Sequence, residues 1–208
     1  MNIIDRHGNL VTRFVAEVTP AEATVALKML AGLPVRSDGW RPKTSYDRKA
    51  LPIGWARIAR LGMDVKDVSL ARAMEPASRV FDCDGFTLKS GEETDPYTGG
   101  RLVFRQVTDV KKRRIDLDHV VPLSDAFISG GHRWQPDGYK WGNLYNDPAN
   151  LLAVSASINR SKGGKNAALW LPIPEFRPRY VIMQIQIKTR YRLSVTEAEA
   201  ARMREILA

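Results

Sequence analysis

Residues 115–165 read IDLDHVVPLSDAFISGGHRWQPDGYKWGNLYNDPANLLAVSASINRSKGGK, and this stretch decides the fold. Apolar and polar residues alternate over residues 115–118, which predicts a strand. The continuous apolar run at 151–154 predicts a second, buried strand. Residues 155–162 follow with a serine at the start and predict a short helix. The expected order is therefore strand, loop, strand, helix.

The same stretch carries the side chains that hydrolysis of a phosphodiester requires. The reaction needs a base to deprotonate water, and His119 follows Asp118 where the first strand ends. It also needs hard oxygen ligands for a divalent cation, which Asp and Asn side chains supply. The reaction also needs positively charged side chains to bind the polyanionic substrate, and the basic segment at 159–165 supplies Arg and Lys residues.

At these residues the chain resembles the HNH (ββα-metal) nucleases, in the branch that carries a D-H-V-V-P-L motif. That branch includes small secreted bacterial nucleases and the nuclease domain of some restriction enzymes for modified DNA. Its pattern continues with a Trp/Gly-rich loop, N-D-P-x-N-L-L-A-V and N-x-x-K-G, and every piece is present here in order. Weaker pieces lie upstream, at 33–35, 42–46 and 95–99. The resemblance implies an α+β fold with a ββα-metal core and additional helices.

The resemblance also implies a role for each residue of the motif. His119 would be the general base, and Asn150 would tie the adjoining loop and help to orient His119. Asp118 and Asn159 would hold one divalent metal, with Mg²⁺ or Mn²⁺ preferred for oxygen ligands. Asp116 should project from the same strand face as Asp118, either as an alternative metal ligand or as a supporting residue.

Basic side chains around the motif are the predicted substrate contacts, with a solvated basic surface as the alternative. They are Arg113, Arg114, Arg160, Lys162 and Lys165. The resemblance implies DNA as the substrate and 5′-phosphate ends as the product. Two alternatives remain open: a catalytically silent nucleic-acid-binding protein with the same fold, and an RNase or toxin-type nuclease.

Composition agrees with a nucleic-acid partner. The chain has 208 residues, a net charge of +9 and a pI of about 9.8, which favours nucleic acid over other acidic partners. A hydrophobic content of 44% excludes wholesale disorder. No apolar run approaches the ~20 residues of a membrane-spanning helix, so no membrane partner is expected.

Cysteine usage bears on metal content and location. Cys83 is the only cysteine, so neither an internal disulfide nor a cysteine-based structural zinc site is expected. Secreted members of the resembled branch usually carry paired cysteines, and Met63 and Cys83 stand where two of these would be. The first seven residues also lack the apolar core of a signal peptide. We therefore predict a cytoplasmic location.

The flanking segments predict how the rest of the chain is organised. Residues 1–94 are expected to form a helical and loop elaboration, which packs on a nuclease core at 95–208 as one structural domain. Residues 1–18 indicate a hairpin or an arm. A solvated turn region is expected at 82–95, and a long loop at 129–145.

Three helices are predicted with start signals or length to support them. Thr19 and Glu22 form a capping box, which indicates a helix that Gly32 ends. Residues 177–192 are better filled by a helix than by a strand. A final helix is expected from overlapping capping-box signals at 194–199 to about Leu207.

Overall fold

The computed structural model describes residues 17–107, 114–134 and 139–208, and within them the fold is α+β, as expected. The helices are α1 (Pro20–Ala31), α2 (Val65–Ala73), α3 (Leu123–Ile128), α4 (Tyr139–Tyr145), α5 (Ala156–Lys162), α6 (Arg177–Arg190) and α7 (Glu197–Leu207). The strands are β1 (Val35–Arg36), β2 (Arg57–Ile58), β3 (Met63–Asp64), β4 (Val80–Phe81), β5 (Leu88–Thr94), β6 (Arg101–Arg105), β7 (Ile115–His119), β8 (Leu151–Ser155) and β9 (Val195–Thr196).

An antiparallel pair, β7 and β8, lies at the centre and leads directly into α5. Asp118 pairs with Leu152 and His119 with Leu151. Residues 151–154 of β8 are all apolar because both faces of the strand are covered: Ala153 packs towards α2, and Leu152 towards α6. The predicted order of strand, loop, strand and helix is confirmed.

Gly163 ends α5 at the point where the N-x-x-K-G pattern has its glycine. Its φ of 54° is left-handed, a conformation that glycine adopts without the steric cost of a Cβ atom. At Gly164, a Cβ atom would collide with the hydroxyl of Ser124. The two glycines therefore let the chain turn sharply after α5 and pass close to α3.

Half of the segment predicted as a solvated turn region at 82–95 is strand β5, so that prediction was only partly right. β5 is the middle strand of a sheet with the order β4-β5-β6. Its inward residues are Leu88, Gly91 and Glu93, and only one of these is a large apolar residue. At Gly91, a Cβ atom would come within 2.6 Å of Cγ of Met74, the residue that follows α2, so a larger residue does not fit there. The usual alternation of a half-buried strand is therefore missing from the sequence.

The predicted loop at 129–145 is also partly wrong, because residues 139–145 form α4. Trp141 and Leu144, three residues apart, are buried in a cluster with Phe127 of α3. Gly142 lowers the intrinsic helix propensity of this segment. Tertiary packing of one apolar face stabilises the helix despite that cost.

The helical end of the protein follows the sequence-based expectations. Capping boxes start α1 at Thr19 and α7 at Thr196. α6 is a helix, as predicted, and packs with α1 and α7 around Leu30, Val181 and Met203. In α1, Ala26 is buried and Val25 is exposed.

Several expectations fall near or beyond the limits of the described residues. The predicted hairpin or arm at 1–18 lies almost entirely outside them.

The predicted division of the chain at residue 94 falls between β5 and β6, which pair with each other. In addition, β1 pairs with β9 near the end of the chain. Over the residues that the structure describes, no helix combines the length and the apolar character needed to span a bilayer.

Candidate active site

A cleft of about 1020 Å³ opens beside β7 and α5 and contains the residues of the motif. Asp116, His119 and Asn159 all line it. Its other charged side chains are mainly cations contributed by several separate segments, and they are Arg48, Lys66, Arg105, Arg114 and Arg160. A concave surface with this excess of positive charge suits a polyanionic ligand.

His119 is the last residue of β7 and lies on the wall of the cleft with 8% of its surface exposed. The indole of Trp55 stacks on the imidazole with an interplanar angle of 10° and a centroid separation of 6.3 Å. His119 Nε2 lies 2.9 Å from the backbone oxygen of Tyr145. Because a carbonyl oxygen only accepts hydrogen bonds, Nε2 must carry the proton and donate it. Nδ1 of the neutral imidazole is therefore the nitrogen with a free lone pair.

The protonation state of His119 suits a base. Burial lowers the pKa of its imidazole to about 4, and the positive charges of Arg48 and Lys162 act in the same direction. The hydrogen bond to Tyr145 only partly opposes this shift. The imidazole is consequently neutral at physiological pH and available to accept a proton.

Asp118 also lines the cleft, but most of its carboxylate faces into the protein. Only 5% of its surface is exposed. Lys162 Nζ lies 2.8 Å from Oδ2 and 3.0 Å from Oδ1, and the hydroxyl of Tyr97 donates to Oδ2 at 2.5 Å. Burial raises the pKa of Tyr97 well above its usual value, so this hydroxyl stays protonated as a donor. Both oxygens of the Asp118 carboxylate are thus already engaged by protein donors.

Lys162 requires a correction, because it was predicted to contact the substrate. Its side chain is fully buried, and Nζ donates to Asp118 and to the backbone oxygen of His119 at 2.9 Å. Burial lowers the pKa of Lys162 and raises that of Asp118, while their mutual attraction opposes both shifts. The side chain points into the protein, where its ammonium group pairs with the buried carboxylate of Asp118, and Lys162 is not among the residues that line the cleft.

Asp116 and Asn159 meet on the wall of the cleft. Both side chains are half-buried, and Asn159 Nδ2 lies 3.3 Å from Asp116 Oδ2. Rotating the Asn159 amide by half a turn would direct its oxygen towards the carboxylate instead. The pair can then offer two hard oxygen donors side by side. No group of three or more His, Cys, Asp and Glu side chains that could hold a metal occurs among the described residues.

Asn150 is fully buried immediately before β8. Its Oδ1 accepts a hydrogen bond from the backbone N–H of Val121 at 2.8 Å, and its Nδ2 donates to the oxygen of Val121 at 3.4 Å. The backbone N–H of Val120 donates to the backbone oxygen of Asn150. These contacts tie down the turn that follows His119, which is what the predicted orienting role requires. That role itself stays a prediction.

The other four predicted substrate contacts separate into three groups. Arg114 and Arg160 are exposed side chains that line the cleft. Lys165 is exposed but does not line it, and its Nζ donates to the backbone oxygen of Ser161 at 2.7 Å. Arg113 lies outside the described residues.

Three aromatic residues near the motif have roles that the sequence did not reveal. Trp55 stacks on His119 and also packs against the hydrophobic cluster around Trp141 and Leu144. Tyr145 supplies the carbonyl group that holds the imidazole. Tyr97 belongs to the D-P-Y-T-G piece at 95–99, one of the weaker upstream pieces of the resembled pattern. The position of that piece in the resembled pattern was the one available signal that Tyr97 is part of the site.

Comparison with known proteins relates the chain to nucleases. Residues 86–206 match the model of a family described as GmrSD restriction endonucleases, C-terminal domain. A protein of Arthroderma benhamiae, described as an uncharacterized secreted protein, is 31% identical to the chain over 188 residues. The aligned region covers 89% of this chain and 84% of that relative. No solved structure matches the chain.

The same comparison contradicts the predicted cytoplasmic location, because the relative is described as secreted. The prediction depended on the missing apolar core of a signal peptide and on the single cysteine, Cys83, which is exposed. A chain with one cysteine forms no internal disulfide in either an oxidising or a reducing compartment. The cysteine count therefore did not discriminate between the two locations.

Proposed function

Because the chain belongs to the family of the C-terminal domain of GmrSD restriction endonucleases, we propose that it is a metal-dependent DNA endonuclease. We assign its β7–β8–α5 unit to the ββα-metal (HNH) class. The reaction is hydrolysis of a phosphodiester bond, with the 3′ oxygen as the leaving group and a 5′-phosphate as a product. Following the secreted relative, we propose an extracellular site of action.

The observation that carries the proposal is the position of His119 in the basic cleft. Its Nε2 is committed to the carbonyl group of Tyr145, so Nδ1 is the basic nitrogen. A water molecule held against Nδ1 would lose its proton to the imidazole as it attacks phosphorus. The stacked ring of Trp55 and the hydrogen bond to Tyr145 fix the imidazole, so that little reorganisation is needed during the reaction.

The donor set of the cleft suits a hard divalent cation. Asn159 and a carboxylate of β7 would hold it, and water and phosphate oxygens would complete the shell, as Mg²⁺ and Mn²⁺ prefer. Such a cation supplies stabilisation for the negative charge that develops on the phosphate and the departing oxygen. The guanidinium groups of Arg114 and Arg160 would hold the substrate phosphates.

The test of this function is nicking of supercoiled plasmid DNA by the purified protein. We expect open-circular product with Mg²⁺ or Mn²⁺ and none in EDTA, because the phosphate charge is then uncompensated. Nicking that persists in EDTA would contradict metal dependence. DNA binding without cleavage under every metal would favour the silent binding protein. Cleavage of RNA but not of plasmid would favour the RNase alternative.

Arg160 gives a separate prediction about substrate binding. Arg160→Ala, made in a His119→Ala background so that DNA stays intact, should weaken binding uniformly across sequences. The slope of log K against log salt should fall in magnitude by about 1, because one phosphate contact is lost. Fluorescence anisotropy over a salt series measures this slope. Lys28→Ala, at an exposed position on α1, is the matched control and should leave the slope unchanged.

A further inference from the structure

A second cavity, of about 450 Å³, lies at the edge of β8 that faces away from β7. Among the described residues it shares none with the lining of the basic cleft. We propose that this cavity binds a small cationic molecule, in which an apolar body carries an ammonium or amidinium group. Its volume is within the range of about 300–1,000 Å³ that is usual for small-molecule sites. The proposal goes beyond the nuclease activity, because none of the residues assigned to that activity lines the cavity.

The walls of the cavity are mainly apolar. They are formed by side chains of α2, of β8 and of the segment before α6, namely Ala73, Leu151, Ala153, Ile173 and Phe176. An apolar ring or chain that enters the cavity is removed from water, which is favourable. The body of the ligand should therefore be apolar.

The outward edge of β8 supplies backbone groups to the cavity. Arg72 donates to the backbone oxygen of Leu151 at 3.2 Å, and the backbone N–H of Ser155 donates to Asp95 at 3.2 Å. Ala153 lies midway between these two strand residues and lines the cavity. Alternate residues of a paired strand direct their backbone groups to the same edge, so the N–H and C=O of Ala153 lie on this edge. They can orient a polar group of the ligand.

The hydroxyl group of Ser69 is the observation that points most directly to a ligand. Ser69 belongs to α2, lines the cavity and has only 2% of its surface exposed. Its Oγ is buried and has no hydrogen-bond partner within the part of the chain that the structure describes. Burying a hydroxyl group without a hydrogen bond is unfavourable, so such groups are rare in folded proteins. A polar group of a ligand in the cavity would supply the missing partner.

The charges around the cavity favour a cation. Arg72 is the one basic residue among the described residues that line it, whereas Glu93, Asp95 and Glu175 are acidic. Burial lowers the pKa of Arg72 to about 10, and the negative charges of Asp147 and Glu93 oppose that shift. Arg72 therefore stays protonated and already has its counter-charges. Asp95 and Glu175 take part in no ion pair with any described residue, so their charge is left for a ligand to neutralise.

The experiment is titration of the isotope-labelled full chain with benzamidine, followed through its backbone amide NMR signals. Benzamidine combines an apolar ring with a cation, and benzamide and benzoate are its neutral and anionic counterparts. We expect benzamidine to shift the signals of Ala153 and Gly99 saturably, because both residues line the cavity. Benzamide should bind about tenfold more weakly because its charge-assisted hydrogen bonds are lost, and benzoate should not bind. Cyclohexylammonium, a cation of different shape, is titrated in parallel.

Two substitutions test the polar groups of the cavity. Ser69→Ala removes the unpartnered hydroxyl group, and Glu175→Gln removes an exposed carboxylate at the rim. Each should weaken benzamidine binding by about threefold or more. Ser69→Ala should melt no lower than the wild type, because its hydroxyl group makes no hydrogen bond without the ligand. Glu197→Gln, at an exposed position on α7 outside the cavity, is the matched control and should bind like the wild type.

The outcomes are decisive for the cavity and independent of nuclease activity. Saturable shifts at the cavity with either cation, weakened by Ser69→Ala and Glu175→Gln, would support the proposal even in a protein that cuts no nucleic acid. Equal binding of benzamidine and benzamide, or preferential binding of benzoate, would overturn it. So would the absence of saturable shifts at the cavity with both cations up to about 10 mM, whether or not the protein nicks plasmid.

Discussion

Replacing His119 with alanine is expected to lower the rate of plasmid nicking by about 10²- to 10⁴-fold, the usual contribution of a general base. The alanine side chain cannot take the proton of the attacking water, and no other described histidine lines the cleft. Because His119 acts on water rather than on the cation, Mn²⁺ binding should change little. Time courses of nicking at saturating Mg²⁺ measure the effect.

The chain offers a matched control in His132. Its Nδ1 lies 3.0 Å from the backbone oxygen of Phe127, and its ring packs on Trp40, away from the cleft residues. His132→Ala should therefore nick at close to the wild-type rate. Imidazole added in solution should restore part of the activity of His119→Ala, because the substitution leaves space beside Trp55. Nicking by His119→Ala at the wild-type rate, in a protein of unchanged melting temperature, would rule out His119 as the base.

Replacing Lys188 with methionine is expected to lower the free energy of unfolding by about 3–5 kcal/mol, the typical cost of removing one partner of a buried ion pair. Lys188 is fully buried in α6, and its Nζ lies 2.8 Å from Asp125 and 2.6 Å from Glu199. Arg36 approaches Asp125 from β1 at 3.6 Å. The four charges balance one another, so methionine would leave two buried carboxylates with only Arg36 to compensate them.

The dependence of this loss on pH distinguishes it from a simple packing defect. Burial already raises the pKa of Glu199. The repulsion of Asp125 raises it as well, whereas the attraction of Lys188 lowers it. Loss of Lys188 should raise that pKa further. A carboxyl group whose pKa is higher in the folded state binds its proton more tightly there, so stability falls as pH rises above the unfolded pKa of about 4.3. The deficit should therefore be larger at pH 8 than near pH 5.

Urea unfolding of Lys188→Met and Lys28→Met at both pH values measures this difference. Lys28 is exposed on α1, and its replacement should change stability by no more than about 0.5 kcal/mol at either pH. A loss in Lys188→Met that is equal at the two pH values would contradict the electrostatic explanation, since the packing of methionine does not depend on proton binding.

Local sequence was sufficient for those features that depend on neighbouring residues. The alternating residues before His119, the apolar run of β8 and the capping boxes of α1 and α7 each predict the element that forms. Local patterns failed at β5, where Gly91 and Glu93 occupy inward positions, and at α4, where Gly142 weakens the helix signal. In both segments the burial of a few side chains against distant residues decides the conformation, and no short window of sequence contains those partners.

The sequence by itself determined the α+β class, the order of the elements around the motif, the basic charge and the identity of the histidine that meets the cleft. Only the tertiary structure decided which charged groups of the motif are paired and which are open. The alternating spacing of the strand does not distinguish Asp116 from Asp118. The sign of the charge does not distinguish Arg160 from Lys162. They differ because Lys162 is buried against Asp118, 44 residues away in the chain, and a buried charge must be neutralised by whichever opposite charge the fold brings within reach.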